Sequence, residues 1–232
     1  MARAILVMGL SGTGKSTSWR NVPSEQAMVI TPNNKQLPFP GSKEKYKKVD
    51  MKTGKGNVIV TKLLEELPSW LDWVNTANHI KYLLIDDWTH FFNARIMSKS
   101  FVAQNSGNAA FAKWNVFGSD VYDSILGKLD HMREDLTIIV MHHTALNDAG
   151  KYTFKSSGKL LENVIDPMSY FTYVLHTRIF KSDTVEERYK FQTNGDDVYE
   201  AKTPMGCFNE LYIPNDVYAV MQRINEYETT GQ

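Results

Sequence analysis

Residues 8–17 read Met-Gly-Leu-Ser-Gly-Thr-Gly-Lys-Ser-Thr and follow the apolar run Ala4–Val7. The spacing Gly9-x-x-x-x-Gly14-Lys15-Ser16 is a complete P-loop pattern. Glycines let successive backbone N–H groups turn inward and cradle phosphate oxygens. Gly9, Ser11, Gly12, Thr13, Gly14, Lys15, Ser16 and Thr17 are therefore the expected ATP-binding residues. Lys15 is expected on the β/γ-phosphates and the Ser16 hydroxyl on Mg²⁺. Such a loop needs an acidic partner from a neighbouring strand. The run Tyr82-Leu83-Leu84-Ile85-Asp86-Asp87 supplies one. Asp86 is expected to serve the Mg²⁺; Asp87 either orients the attacking water or caps the next helix. A third apolar run, Leu136–Met141, ends in His142-His143. His142 is the preferred γ-phosphate sensor and His143 the second choice. Adjacent strand residues face opposite ways, so the two rings are not expected to share a metal.

These residues need strands to carry them. Apolar strands are expected over 4–8, 27–31, 57–61, 82–85 and 136–141. Helices are expected over 15–21, 62–77 and 109–133, the last two from apolar residues at helical spacing. In the first of these two, the spaced residues are Leu63, Leu64, Leu67, Leu71 and Val74; in the second, Phe111, Trp114, Val121, Ile125 and Leu129. This alternation predicts an α/β fold, a mostly parallel sheet covered by helices. Residues 32–50, 98–108 and 144–158 read as loops, and 159–166 as a short helix. Beyond them, 170–180 and 187–193 read as a β-hairpin turning at 182–184, followed by a closing helix over 214–227 with Pro214 in its first turn. The hairpin and helix, about 168–228, are expected to extend one domain spanning 1–232.

Composition narrows the function classes. Lys+Arg and Asp+Glu are both 26, so a nucleic-acid surface would have to be local. The lysines at 43, 45, 47, 48, 52 and 55 are either a solvated loop or such a surface. The single cysteine, Cys207, rules out an internal disulfide and reads as a small buried hydrophobe. No apolar run approaches the ~20 residues of a membrane span, and the glycine loop follows too closely on residue 1 for a signal peptide. A soluble cytoplasmic protein is expected.

The P-loop, the Leu-Leu-Ile-Asp-Asp strand, the Ile-Ile-Val-Met-His-His-Thr strand and the segment 202–216 together resemble the phage-encoded RecA-like ATPases. The resemblance covers most of the chain. It implies a RecA-like P-loop core, ATP with Mg²⁺, self-assembly into a homo-oligomer, and a role in DNA recombination or single-strand annealing in the host cytoplasm, with a single-stranded-DNA-binding protein as a further partner. It also implies DNA contact through the loops at 98–108 and 144–158. In the second, Lys151 and Lys155 are placed to meet phosphates, and Tyr152 and Phe154 to stack on bases. A basic residue of the late hairpin, Lys181 first, is implied as a finger reaching a neighbour's γ-phosphate. One departure stands out. The family's catalytic Glu after the second core strand is missing, and residues 32–35 read Pro-Asn-Asn-Lys. Asp87 then takes over as base, or the protein is a nucleotide switch with little turnover. A small-molecule kinase is the other alternative, but residues 144–158 lack the arginines of a kinase lid.

Overall fold

The computed structural model describes residues 2–103, 107 and 109–231. Among these, ten strands occur: β1 (Arg3–Met8), β2 (Ala27–Thr31), β3 (Val58–Val60), β4 (Tyr82–Ile85), β5 (Thr137–His142), β6 (Thr144–Leu146), β7 (Tyr152–Phe154), β8 (Tyr173–Ile179), β9 (Tyr189–Gln192) and β10 (Tyr212–Pro214). Eight of them form one sheet in the order β10-β9-β8-β1-β5-β4-β2-β3. From β8 across to β3 every pairing is parallel, while β9 and β10 add antiparallel to that edge. The chain is thus an α/β protein with a mostly parallel sheet and helices on both faces.

The parallel strands are apolar on both sides, as a sheet covered twice requires. Alternation along β1 sends Leu6 and Met8 to one face and Ile5 and Val7 to the other. The first face packs under the helices Leu67–Thr76, Trp88–Ile96 and Ala109–Ser124. The second packs under Trp19, Phe39, Tyr46 and the helix Val217–Thr230. Each fully buried Leu, Ile, Val or Phe contributes about 1.5–3 kcal/mol before the cost of ordering it.

Several expected elements change form. The helix after the glycine loop is a 3₁₀ helix, Ser16–Asn21, ended by the extended pair Val22-Pro23. The expected helix over 109–133 breaks at Ile125, and a 3₁₀ helix, Leu126–His131, follows. Within it Phe111 is exposed, and Phe117 takes the inward place. Leu63, expected inward, is also exposed. The stretch 144–158 holds the β6–β7 hairpin, and 99–102 forms a short helix in the expected loop 98–108, of which 104–106 and 108 lie outside the described residues. Pro214 ends β10; the last helix starts at Val217, where the Asp216 carboxylate accepts from the N–H groups of Tyr218 and Ala219. Cys207 is buried and unpaired by any disulfide. No helix among the described residues is long and apolar enough to cross a membrane.

Candidate functional site

The site lies at the carboxyl ends of the parallel strands, where sheets of this kind bind ligands. β5 lies between β1 and β4, so the glycine loop after Met8 and the acids after Ile85 flank the end of one strand. Backbone bonds tie these ends together: Gly9 N–H donates to His142 O at 3.2 Å, and Asp86 N–H to Ile30 O at 3.0 Å.

The glycine loop wraps around its own lysine. Lys15 Nζ is buried and donates to Gly9 O at 2.7 Å and Leu10 O at 2.9 Å. Burial pushes its pKa down, while Asp87 and Asp86 pull it back up. Two glycines are required by space and conformation. A Cβ on Gly9 would sit 1.8 Å from Thr177 Oγ1, because β8 runs directly beside the loop. Gly14 has φ +95°, and a Cβ there would press on Asn215 and Tyr189 at 3.1–3.2 Å. Thr13 Oγ1 donates to Leu10 O at 2.7 Å and meets the Thr177 hydroxyl, holding the loop to β8.

Beside the loop, Ser16 and Asp86 line the same cavity. Burial raises the Asp86 pKa to about 6, and the neighbouring Asp87 adds to this against the pull of Ser16, Lys15 and His143. A hydroxyl and a carboxylate side by side form a hard oxygen pair that fits Mg²⁺. Asp87 stands at the N-cap position of the helix Trp88–Ile96 but makes no cap bond. Its Oδ2 instead meets His143 Nε2 at 2.7 Å, and its Oδ1 is buried without a partner. Burial opposes ionisation of Asp87, yet the hydrogen bond and charge of His143 outweigh it and hold the pKa at about 2. The backbone N–H of His143 is anchored on Thr89 Oγ1 at 2.8 Å.

One cavity of about 1100 Å³ takes in this arrangement. Ser11, Gly12, Gly14, Lys15, Ser16, Thr17, Asp86, Asp87 and His143 line it, whereas Gly9 and Thr13 support the loop from behind. The Thr31–Asn33–Asn34 end of β2 and the residues Phe39, Lys43, Tyr46 and Lys48 form another wall. Val185, Glu186 and Tyr189 reach in from the β8–β9 connection, and Asn215 from beyond β10.

Other expected residues stand elsewhere. His142 is no part of the cavity lining: its ring is buried, lies 3.6 Å from the Phe154 ring in a stack, and bonds Lys155 O through Nε2. Burial lowers its pKa to about 3. Period-two alternation turned the neighbouring ring to the core and left His143 at the site. Phe154 is consumed by that stack, and Tyr152 stacks on Tyr199 at 5.0 Å, so neither ring is offered to a base. Lys155 is exposed and lines a separate cavity of about 600 Å³; Lys151 closes the hairpin turn with Asn147. Lys181 is exposed at the hairpin tip and lines neither cavity. Arg178 stacks on Tyr199 at 3.6 Å, a structural role. Sequence reasoning missed His90, Tyr189 and Asn215. His90 had a signal, since it lies three residues after Asp87 on one helix face. Tyr189 and Asn215 reach the loop only through the topology of β8–β10.

No protein family matches this chain, and no curated protein matches it.

Proposed function

We propose that the chain is a Mg²⁺-dependent ATPase with a RecA-like P-loop core. The observation that carries this reading is the convergence of three elements on one cavity: the glycine loop with Lys15, the Ser16–Asp86 pair and the Asp87–His143 pair. Backbone N–H groups of the loop and Lys15 bind the triphosphate. Lys15 exchanges two neutral carbonyl acceptors for phosphate oxygens, and charged acceptors give the stronger bonds. Ser16 and Asp86 hold Mg²⁺, whose charge offsets that of the phosphates. Asp87 keeps His143 oriented, and the pair holds the attacking water and accepts its proton. This assignment answers the lack of a Glu after β2, where Asn33 and Asn34 line the wall and offer only hydrogen bonds.

Within this reading the protein acts on DNA, in recombination or single-strand annealing, by ATP-dependent single-strand binding and self-assembly. Contact falls to lysines such as Lys151 and Lys155, since Tyr152 and Phe154 are engaged within the fold. Isothermal calorimetry with Mg·ATP tests the nucleotide site. Lys15→Ala is expected to weaken ATP by about tenfold to a hundredfold, the loss of one charged hydrogen-bonding group. Unchanged affinity in that variant rejects the assignment. Fluorescence anisotropy with labelled single strands over a salt series tests the DNA role: binding is expected to be modest, stronger with ATP, and weakened by charge removal at Lys151 and Lys155. Absence of binding in every nucleotide state removes DNA from the reading and leaves a nucleotide switch.

A further inference from the structure

Asp87, His90 and His143 present one ligand atom each, and the three atoms lie within 4.8 Å of one another. We propose that they form a site for a divalent transition ion of the zinc, cobalt or iron(II) class, distinct from the oxygen pair of Ser16 and Asp86. Ligand type carries the distinction. Two imidazoles and one carboxylate suit first-row transition ions, whereas Mg²⁺ takes oxygen donors. Two His and one carboxylate on one side of an ion also leave its other positions open, and all three residues face the large cavity.

A second observation points to a ligand at this place. Asp87 is buried, and its Oδ1 has no hydrogen-bond partner. Buried polar oxygens are normally satisfied by a hydrogen bond or a bound ion. A metal ion would satisfy it. The elements also hold the three residues in a fixed relation. Asp87 and His90 are spaced i, i+3 at the start of the helix Trp88–Ile96, and His143 is pinned by its backbone bond to Thr89 of the same helix. Ligands bound at about 2.0–2.2 Å on one side of an ion stand about 3.0–3.4 Å apart, so closure from the present spacing needs a side-chain movement of at most about 2 Å. His90 is exposed, and its ring lies edge-on to that of His143 with centroids 5.8 Å apart. Occupation of this site by an ion and service of the Asp87–His143 pair as a base are alternative states of the same two side chains, because an imidazole nitrogen that binds a metal carries no proton. The nearby charges favour a cation, since Asp86 and Asp87 outnumber Lys15.

The test is titration of the full chain with Co²⁺ in excess Mg²⁺, followed by visible absorption and by calorimetry. One equivalent of Co²⁺ is expected to bind with a ligand-field spectrum of mixed nitrogen and oxygen coordination. His90→Ala is expected to weaken that binding by ~10-fold or more, since even residues behind the ligands cost 10–100-fold. His143→Ala is expected to do the same, with circular dichroism reporting on its fold. Failure of the wild type to bind one equivalent, or binding that survives His90→Ala, overturns the proposal. Mg·ATP binding measured by calorimetry on the same samples reports on the nucleotide site separately from the Co²⁺ signal. Loss of ATP binding in the wild type with retained Co²⁺ binding would instead reject the nucleotide reading alone.

Discussion

The Asp87 carboxylate has one oxygen on His143 and the other buried and unbonded. That asymmetry defines its role. A capping carboxylate would accept from the first turn of its helix, and Asp87 accepts nothing there. In the proposed reaction Asp87 keeps a negative charge beside His143, and that charge supports the imidazolium formed when water gives up its proton. Asp87→Asn preserves the shape but removes the charge. Turnover in single-turnover assays is expected to fall by ~100-fold or more, with ATP affinity retained. Loss of a cap would instead appear as about 1 kcal/mol of stability, which a melting curve is expected not to show. Unaltered turnover in Asp87→Asn would remove the pair from catalysis.

At the scale of elements, the glycine loop is held by β8 as much as by its own sequence. Met8 pairs with His176, and the next residue, Thr177, donates its hydroxyl to Met8 O at 3.1 Å while filling the space where a Gly9 side chain would go. Gly9→Ala therefore forces loop and strand apart. Overpacking of this kind costs about 1–3 kcal/mol. Urea denaturation is expected to show that loss, and the double variant Gly9→Ala with Thr177→Ala to recover part of it, because the nearest obstacle is the Thr177 hydroxyl. Equal stability of Gly9→Ala and wild type would mean that the loop is free to move off β8. The β8–β9 connection has a parallel role. Its helix, Val185–Arg188, is capped by Thr184, and Arg188 donates back to Ser182 O, so Tyr189 is presented to Gly14 from a closed tip.

At the scale of the whole molecule, the two-sided core carries buried imidazoles that set the response to acid. His176 is buried on β8, with Nδ1 at 3.2 Å from Glu200 O and its ring edge-on to Tyr199. Burial is the largest influence on it and lowers its pKa from 6.5 to about 4. The folded state thus refuses a proton that the unfolded chain accepts once the pH falls below 6.5. The stability from keeping His176 neutral is complete above that pH and is lost progressively down to about pH 4. Between pH 7 and 4.5 this group alone costs about 2–3 kcal/mol. Urea midpoints across that range are expected to fall with pH. His176→Gln is expected to flatten the slope in part, His142 supplying the remainder through its own lowered pKa. A wild-type midpoint that holds steady from pH 7 to 4.5 would contradict the burial of both rings.

Local information was enough for the strands that carry the chemistry. Continuous apolar runs of four to six residues ending in Gly9, Asp86 and His142 identify β1, β4 and β5, because a doubly covered strand has no polar face to disguise it. The glycine spacing likewise names the loop, since backbone geometry alone demands it. Contacts between distant segments decided the rest. Period-two alternation says that His142 and His143 face opposite ways, but only packing against Trp88, Phe92 and Phe154 determines which one is buried. Asp87 could cap its helix or turn to the site until β5 brought His143 to it. Tyr152 and Phe154 look like stacking residues in a polar stretch, and Tyr199 and His142 claim their rings first. Periodicity over 109–133 ran past the break at Ile125, because a helix end set by tertiary packing leaves no mark in hydrophobic spacing. Residue order determined which groups exist and which backbone shapes they allow; the strand order β8-β1-β5-β4-β2 determined which of them meet, because long-range pairing is a property of the folded sheet and not of any window of sequence.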